Sequence, residues 1–264
     1  MYGKINLALN VTGVKGGMHL IDTVMASVSL FDLLSVREAD DISVECDCAV
    51  SGENTALRAA REVRRVCGKS LAVTVKKGIP MGGGLGGSSA DAAGVFAAAE
   101  RLLGLSRMTD LSALALGVGA DVPYMLRGGY ARARGFGEAL EPFDAPCGTR
   151  LLVAECGFVP TGECYKISDG MTNPAADIAA VIEGLKAGKL RGLSNALTGG
   201  AVMLAPRIKD CMDVFARGGK TGHLTGSGGC VFGEYDEKIK AALIGCGFKV
   251  HDVFTVQSGI EFLN

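Results

Sequence analysis

A glycine-rich stretch between a predicted strand and a predicted helix most constrains the fold of this chain. Residues 82–87 hold five glycines in six positions, and Ser88 and Ser89 follow them. Alternating apolar residues over 71–77 predict a half-buried strand, and apolar residues every three or four positions over 89–104 predict a helix. The first N–H groups of that helix lack intrahelical partners, and glycine lets a ligand approach the backbone closely. The pattern predicts a phosphate-binding loop; the alternative is a flexible turn with a serine N-cap, which needs only one or two glycines.

The common nucleotide-binding motifs do not describe this loop. A P-loop has a lysine directly after its last glycine, but Ser88 follows Gly87. Gly82, Gly84 and Gly87 match GxGxxG, which alone is a weak signal. A dinucleotide-binding fold would also need a strand ending in an acidic residue about 20 residues past the loop, and 101–107 shows no strand pattern. Because the protein-kinase signatures are absent as well, we expect a phosphate loop of another type.

Composition excludes several classes of protein. A hydrophobic content of 48% and a charged content of 21% are typical of a soluble globular chain. The formal net charge of −1 argues against nucleic acid or an anionic membrane as the main partner. Nine cysteines without CxxC pairs, and no signal-peptide or membrane-spanning pattern, indicate reduced thiols in a cytoplasmic protein. Cys46 and Cys48 form a CxC without a nearby histidine, which disfavours a zinc site.

The remaining periodicity predicts an α+β protein in two parts. Strands are predicted at 3–11, 19–30, 42–46, 71–77, 129–134, 150–155, 220–225, 229–234, 248–254 and 258–262. Helices are predicted at 54–67, 89–104, 109–116, 161–168, 175–187, 207–217 and 236–245. The pattern breaks at 143–149, so we expect an N-terminal domain at 1–147 and a C-terminal domain at 148–264. Small ligands usually bind in the cleft between two such halves.

Two groups of polar residues are candidates for a site. Lys4 and Asn6 share the face of the first strand opposite its apolar residues, which by itself indicates a solvated face. Asp121 lies on a glycine-rich bend after helix 109–116, where Pro123 favours extended backbone at the preceding valine. There Asp121 could serve a reaction or simply cap the next turn.

A second glycine–serine loop, at 225–229, lies between two predicted strands. Its glycines suit a plain hairpin and equally a second loop that approaches an anion. Together with the first loop, Lys4 and Asp121, it would complete the parts needed for phosphoryl transfer to a small alcohol. Asp121 would accept the hydroxyl proton, Lys4 would stabilise the developing charge, and Mg²⁺ would bridge the nucleotide phosphates.

The order of these motifs resembles that of the GHMP kinase superfamily along nearly the whole chain. Five segments carry the resemblance: 3–7 (GKINL), 17–20 (GMHL), 79–93, 119–123 (GADVP) and 225–228 (TGSG). The resemblance implies a two-domain α+β fold, with a ribosomal protein S5 domain 2-like N-terminal domain and a ferredoxin-like C-terminal domain. It also implies an ATP-dependent small-molecule kinase of isoprenoid precursor synthesis, with Mg²⁺ held mainly by the nucleotide phosphates. The implied partners are ATP and a cytidine-diphosphate-linked methylerythritol, with no nucleic acid or membrane, in a monomer or homodimer.

The resemblance further implies roles for individual residues. Lys4 and Asp121 match the catalytic pair, and Lys77 lies near the nucleotide. The loop around the ATP phosphates matches Pro80, Met81, Gly82, Gly83, Gly84, Leu85, Gly86, Gly87, Ser88, Ser89 and Ala90. The substrate side matches Asn6, Met18, His19, Tyr165, Gly226, Ser227 and Gly228. Among these, Tyr165 is expected to stack on the cytosine ring, and no residue is expected to bind a metal directly.

Two departures from the family pattern bear on the substrate. Met18 stands where the family usually has a tyrosine beside the histidine, so half of an aromatic sandwich around the base is lost, although a thioether can still pack on a ring. Ser88 replaces a common glycine and Ala90 a common serine or threonine, which moves one hydroxyl along the loop while Ser89 is retained. Two alternatives therefore stay open: a kinase of the mevalonate or homoserine type, and a non-catalytic sensor on the same fold.

Overall fold

The computed structural model describes residues 1–48 and 54–263, which form eleven strands and nine α-helices. The strands are β1 (Tyr2–Lys15), β2 (Met18–Phe31), β3 (Leu33–Ala39), β4 (Ser43–Cys46), β5 (Ser70–Lys76), β6 (Tyr130–Gly135), β7 (Ala139–Pro142), β8 (Arg150–Glu155), β9 (His223–Leu224), β10 (Cys230–Glu234) and β11 (Lys249–Val256). The helices are α1 (Thr55–Cys67), α2 (Gly87–Leu103), α3 (Leu111–Val118), α4 (Val122–Arg127), α5 (Thr161–Asp169), α6 (Ile178–Lys186), α7 (Thr198–Leu204), α8 (Arg207–Arg217) and α9 (Glu237–Gly245). Mixed helices and strands confirm the predicted α+β class.

The first two strands form a long antiparallel hairpin. Its two-residue turn is Gly16-Gly17, between the paired residues Lys15 and Met18. Both glycines have positive φ, at 60° and 79°, which is the backbone that a tight turn between twisted strands requires. The hairpin carries the predicted site residues of both strands on one rigid element.

One eight-stranded sheet links the two halves of the chain. Its order is β7-β6-β2-β11-β8-β10-β9, and β1 pairs with β2. The last strand, β11, joins β2 of the first half to β8 of the second, through Thr255 opposite Val28 and Val253 opposite Leu151. A separate three-stranded sheet has the order β3-β5-β4, with β4 parallel to β5. The division into 1–147 and 148–264 stays a prediction.

The buried apolar side chains form two clusters. The larger one surrounds α2, which packs against α1 and α4 and is buried along most of its length. The smaller one lies between α8, α9 and the sheet of the second half, around Phe215 and Leu243. Because the long central helix α2 is held on several sides, the glycine loop that precedes it has a firmly positioned end. Among the described residues, no helix combines the length and apolar character needed to cross a membrane.

Several elements differ from the sequence prediction. The predicted strand at 258–262 is wrong: the segment lies outside the sheets, and its long-range backbone bonds include Gly259 N–H donating to Arg127 O and Tyr2 N–H donating to Gly259 O. Pro123 does not extend the backbone before it but lies in the first turn of α4, where the missing proline N–H costs no hydrogen bond. The elements β3, β7, α4 and α7 were not predicted.

Candidate active site

A cleft of about 470 Å³ opens between the two halves, within the range typical of ligand pockets. The first half supplies β1, the glycine loop and Asp121, and the second half supplies residues from 158–165 and 226–227. This confirms the predicted cleft. Of the predicted site residues, the structure brings together on its wall Lys4, Asn6, Lys77, Pro80, Met81, Gly82, Gly83, Gly84, Leu85, Gly86, Gly87, Ser88, Ser89, Asp121, Tyr165, Gly226 and Ser227.

The first glycine loop runs directly into the N-terminus of α2. The helix begins at Gly87, and no side chain caps its first N–H groups at Gly86. The Thr55 hydroxyl donates to the Ser88 carbonyl at 2.6 Å, which ties α1 to this first turn. The uncapped N–H groups and the positive end of the helix dipole therefore face the cleft beside the two serines. Ala90 is fully buried inside α2 and does not reach the cleft wall.

The two glycine loops pack against each other through their backbones. A side chain at Gly84 would place its Cβ 2.1 Å from the Thr225 carbonyl oxygen, at a φ of +74°. The Thr225 hydroxyl donates to the Gly84 carbonyl at 3.2 Å. The second loop is thus both a hairpin, with Leu224 paired to Val231, and a wall of the same cleft. Gly228 lies behind this wall, against Val159 and Ala201.

Lys4 and Asp121 meet where the two loops converge. The Lys4 ammonium donates to Asn6 Oδ1 at 2.6 Å and to the Gly84 carbonyl at 3.0 Å. Its Nζ lies 3.7 Å from Asp121 Oδ2. Asp121 occupies the N-cap position of α4 but makes no side-chain cap hydrogen bond, so its carboxylate is not engaged by its own helix. Only a third of the Asp121 side chain is exposed, against 6% of Lys4.

The face of β1 that carries Lys4 and Asn6 is buried, so the expectation of a solvated strand face is wrong. Asn6 Nδ2 donates to Thr23 Oγ1 at 2.8 Å, and Thr23 in turn donates to the Ala8 carbonyl at 2.6 Å. The Asn6 N–H donates to Thr225 Oγ1 at 3.0 Å. The second glycine loop covers this face and pairs with the Asn6 N–H through Thr225, while the Asn6 side-chain amide bonds within the β1–β2 hairpin. Asn6 therefore orients the Lys4 ammonium from a fixed position.

Lys77 reaches the cleft wall but is held by two carboxylates beneath the glycine loop. Its ammonium contacts Asp32 and donates to Asp91 Oδ2 at 2.7 Å. Asp32 is fully buried and also accepts from the N–H groups of Gly78 and Ile79, at 2.7 and 2.9 Å. Burial raises the pKa of Asp91 above its ordinary value, although Lys77 opposes the shift. The Lys77 charge thus first serves to anchor the start of the loop.

An aromatic and ionic group lies at the part of the cleft that Tyr165 lines. The His19 and Tyr165 rings stack with centroids 4.6 Å apart at 30°. His19 Nε2 lies 2.8 Å from Asp169 Oδ1, which fixes the orientation of the imidazole. Burial, with the nearby Asp121 charge, raises the pKa of Tyr165 to about 12, so the phenol stays neutral. Met18 is 57% exposed at the end of the β1–β2 hairpin and is not part of the cleft wall.

Sequence reasoning missed several residues of the cleft. The exposed ring of Phe158 packs over Gly82, where an added Cβ would lie 2.5 Å from it. Thr161 Oγ1 shares a 2.8 Å hydrogen bond with Ser227 Oγ. Buried Asn195 donates to the Gly226 carbonyl at 2.8 Å and so supports the second loop. The sequence held one usable signal for these residues, the aromatic Phe158 directly after Cys156-Gly157. Asn195 lies outside any periodic segment and gave no signal.

Comparison with known proteins agrees with this geometry. Residues 54–129 match the family of GHMP kinases N terminal domain. The chain is 34% identical over 247 residues to a 4-diphosphocytidyl-2-C-methyl-D-erythritol kinase of Azoarcus sp. (strain BH72), covering 90% of this chain and 85% of that protein. A protein of the same name from Chlorobium phaeobacteroides (strain BS1) is 31% identical, with 95% and 93% covered.

Solved structures extend the likeness to three dimensions. A crystal structure of 4-(cytidine 5'-diphospho)-2C-methyl-D-erythritol kinase has a TM-score of 0.81 and 31% identity, covering 96% of this chain and 97% of that one. A homoserine kinase from Cytophaga hutchinsonii has a TM-score of 0.69 at 18% identity, which shows the fold alone. The expected GHMP kinase fold is confirmed. The chain belongs to the family of 4-diphosphocytidyl-2-C-methyl-D-erythritol kinases, within the GHMP kinases.

Proposed function

We propose that this chain transfers the γ-phosphoryl group of ATP to the 2-hydroxyl of 4-diphosphocytidyl-2-C-methyl-D-erythritol, giving ADP and the 2-phosphate. The observation that carries the proposal is the Lys4–Asp121 pair at the meeting point of the two glycine loops. An anion-binding loop on one side and a buried acid–base pair beside it are what phosphoryl transfer to an alcohol needs. The names of the curated relatives support the choice of acceptor.

Asp121 is the proposed general base and Lys4 the electrostatic partner. The carboxylate is free of its own helix and lies beside an ammonium, so it can accept the proton of the acceptor hydroxyl as that oxygen attacks the γ-phosphorus. The new O–P bond forms while the bond between the γ-phosphorus and the β-γ bridging oxygen breaks, and ADP leaves with that electron pair. Lys4 stabilises the negative charge of the attacking oxygen, and Asn6 keeps its ammonium in place.

The loop from Pro80 to Ala90 is the proposed cradle for the ATP phosphates. Its backbone N–H groups and the uncapped start of α2 offer donors and a positive dipole to the anion. The Ser88 and Ser89 hydroxyls line the same wall. Lys77 supports the cradle from below through Asp32 and Asp91, and Ala90 contributes only to the packing of α2.

The oxygen donors on this wall suit Mg²⁺. Hard cations of this kind prefer carboxylate and phosphate oxygens, and the cleft presents the Asp91 and Asp121 carboxylates near the phosphate cradle. Asp91 Oδ1 is buried without a hydrogen-bond partner, so a carboxylate oxygen remains unused. We propose that the nucleotide phosphates hold the ion, as expected from the sequence, and that the Asp91 and Asp121 carboxylates lie near it without being assigned as its ligands. When bound, the ion neutralises charge on the transferred phosphoryl group.

The cytosine of the acceptor is proposed to stack on Tyr165. The phenol ring is already ordered by His19, which Asp169 orients. Gly226, Ser227 and Gly228 would contact or support the diphosphate side of the substrate. Because Met18 is exposed away from the cleft wall, we expect base recognition to depend on Tyr165 rather than on the methionine. We further propose that the protein acts on small-molecule substrates only, in the cytoplasm, as a monomer or homodimer.

The test is an ADP-release assay with Mg-ATP on the cytidylyl substrate, mevalonate, homoserine and galactose. We expect turnover on the first alone, with Asp121→Asn prepared in parallel to exclude a contaminating kinase. Turnover on another alcohol would overturn the substrate but keep the mechanism. If none of the four alcohols gives ADP release while ATP still binds, the result would favour a sensor and overturn the proposed reaction.

A further inference from the structure

Three sulfur atoms meet at the edge of the cleft, two from cysteines with no assigned role and one from Met81 at the start of the proposed phosphate cradle. Cys46 Sγ and Cys48 Sγ are 3.2 Å apart, and Cys48 Sγ is 3.5 Å from the thioether sulfur of Met81. Cys46 and Met81 both line the cleft. Among the described residues, Cys46, Asp47 and Cys48 form the one group of three His, Cys, Asp or Glu side chains whose ligand atoms lie within 4.8 Å of one another.

The backbone brings the two thiols to the same side. Cys46 ends β4 opposite Val75 of β5, and the chain bends at Asp47 and Cys48, with the two cysteine sulfurs 3.2 Å apart. The Asp47 N–H donates to the Val75 carbonyl at 3.2 Å, and Asp47 Oδ1 accepts from the Lys77 N–H at 3.0 Å. The residue between the cysteines is thus attached to β5 at both its backbone and its side chain. The thiol pair is held in place by these bonds.

We propose that Cys46, Cys48 and Met81 bind one soft metal cation of the Cu(I) type, at a site that shares Met81 with the loop of the proposed phosphate cradle. Thiolate and thioether ligands select soft cations, and a thioether favours Cu(I) over Zn²⁺. Three sulfurs in trigonal geometry around one ion, with metal–sulfur bonds of about 2.3 Å, stand about 4.0 Å apart. The thiols therefore need to separate by about 0.8 Å from their 3.2 Å spacing.

Loading the site exchanges protons for the cation. Both thiols lose their protons to solvent as two metal–sulfur bonds form, and Met81 adds a neutral ligand, so no electron is transferred. Because an ordinary thiol is protonated at neutral pH, proton release accompanies binding and affinity rises with pH. The loaded site carries one more negative charge than the two neutral thiols. Since it adjoins the phosphate cradle, we expect the metal to weaken ATP binding severalfold, and ATP to weaken metal binding by the same factor.

The test is an anaerobic titration of the reduced full chain with Cu(I), in competition with a coloured Cu(I) chelator. We expect one tightly bound ion in the wild type, and at least a hundredfold weaker binding in Cys46→Ser and in Cys48→Ser. Met81→Leu should lose about tenfold for Cu(I) and little for Zn²⁺, because only the soft cation gains from the thioether.

Two variants provide matched controls. Cys246 is an exposed thiol without a sulfur neighbour in the described chain, and Met203 is an exposed methionine on α7. Cys246→Ser and Met203→Leu should bind Cu(I) as the wild type does. Unchanged affinity in Cys48→Ser, or binding that follows Cys246, would overturn the proposal. Because the readout is metal binding, this result is independent of whether the chain phosphorylates the cytidylyl substrate.

Discussion

Lys4 of β1 holds its ammonium 3.7 Å from the Asp121 carboxylate, which stands at the start of α4 in a distant part of the chain. The ammonium also donates to the Gly84 carbonyl, so a cation, an acid and the proposed phosphate loop share one contact point. The pair is buried enough to exclude bulk water from the lysine and open enough for an acceptor hydroxyl to reach the carboxylate. This geometry leads to the first prediction.

Asp121→Asn should lower kcat by about a thousandfold, because a positioned general base contributes roughly 10²–10⁴. ATP affinity should stay within about threefold, since Asp121 does not belong to the glycine loop. Steady-state kinetics and nucleotide titration measure the two quantities. Asp169→Asn is the matched control: it disturbs His19 and should raise KM for the acceptor with a much smaller effect on kcat. A near-wild-type kcat in Asp121→Asn would remove it from the mechanism.

Tyr165→Leu should raise KM for the cytidylyl substrate by tenfold or more, with kcat nearly unchanged, because stacking on a base contributes about 1–3 kcal/mol. Tyr165→Phe keeps the ring against His19 and should bind the acceptor almost as the wild type does. The comparison separates the ring from the hydroxyl. Equal KM values for the leucine and phenylalanine variants would show that the ring does not hold the base.

Gly84→Ala should disrupt the contact between the two glycine loops. The new methyl would lie 2.1 Å from the Thr225 carbonyl oxygen at a positive φ, so the loops must separate and ATP affinity should fall by at least tenfold. Gly117→Ala is the control, since Gly117 lies in α3 with nothing within 4 Å of an added Cβ. There alanine should stabilise the helix by about 0.5–1 kcal/mol. Isothermal titration and urea unfolding distinguish the two effects.

Lys77→Met should lower the free energy of unfolding by on the order of 3 kcal/mol, because it leaves two buried carboxylates without their cation. Asp32 has no exposed surface and Lys77 itself is 11% exposed in its side chain. Lys69→Met, which removes a lysine from an exposed pair with Glu38, should change stability little. Urea denaturation of both variants measures the contrast. Similar small losses in both would mean that the Asp32–Lys77–Asp91 group contributes little.

His223 should make stability depend on pH. Burial lowers the pKa of His223 to about 4 from an ordinary value of 6.5, and Glu234 opposes this only in part. As pH falls, the unfolded chain binds this proton before the folded chain does. The stability that neutral, buried His223 contributes is therefore complete above pH 6.5 and is lost as pH falls towards 4. Between pH 7.5 and pH 5 the wild type should lose about 2 kcal/mol more than His223→Phe does. If urea unfolding shows that both proteins lose the same free energy of unfolding between these pH values, the lowered pKa of His223 would be contradicted.

The sequence alone determined most local elements of this protein and the positions of its motifs. The strand, glycine loop and helix around residues 70–103 and the α+β class follow from periodicity and residue type, which depend on near neighbours, and the five family segments follow from the resemblance to the GHMP kinases. These signals also located Lys4, Asp121 and both glycine loops. Extended backbone was predicted before Pro123, and α4 was missed, because proline disfavours helix at the preceding residue and yet suits a first helical turn.

Only the tertiary structure decided which polar groups are buried and what they contact. The Lys4–Asn6 face looked solvated because nothing local in β1 shows that the loop at 225–229 covers it. The pairing of Lys77 with Asp32, and the support of Gly226 by Asn195, likewise join segments far apart in the chain. Periodicity reports the environment that a segment's own pattern prefers, whereas burial of a charge depends on partners that distant segments bring, and those partners are set by the packing of the whole fold.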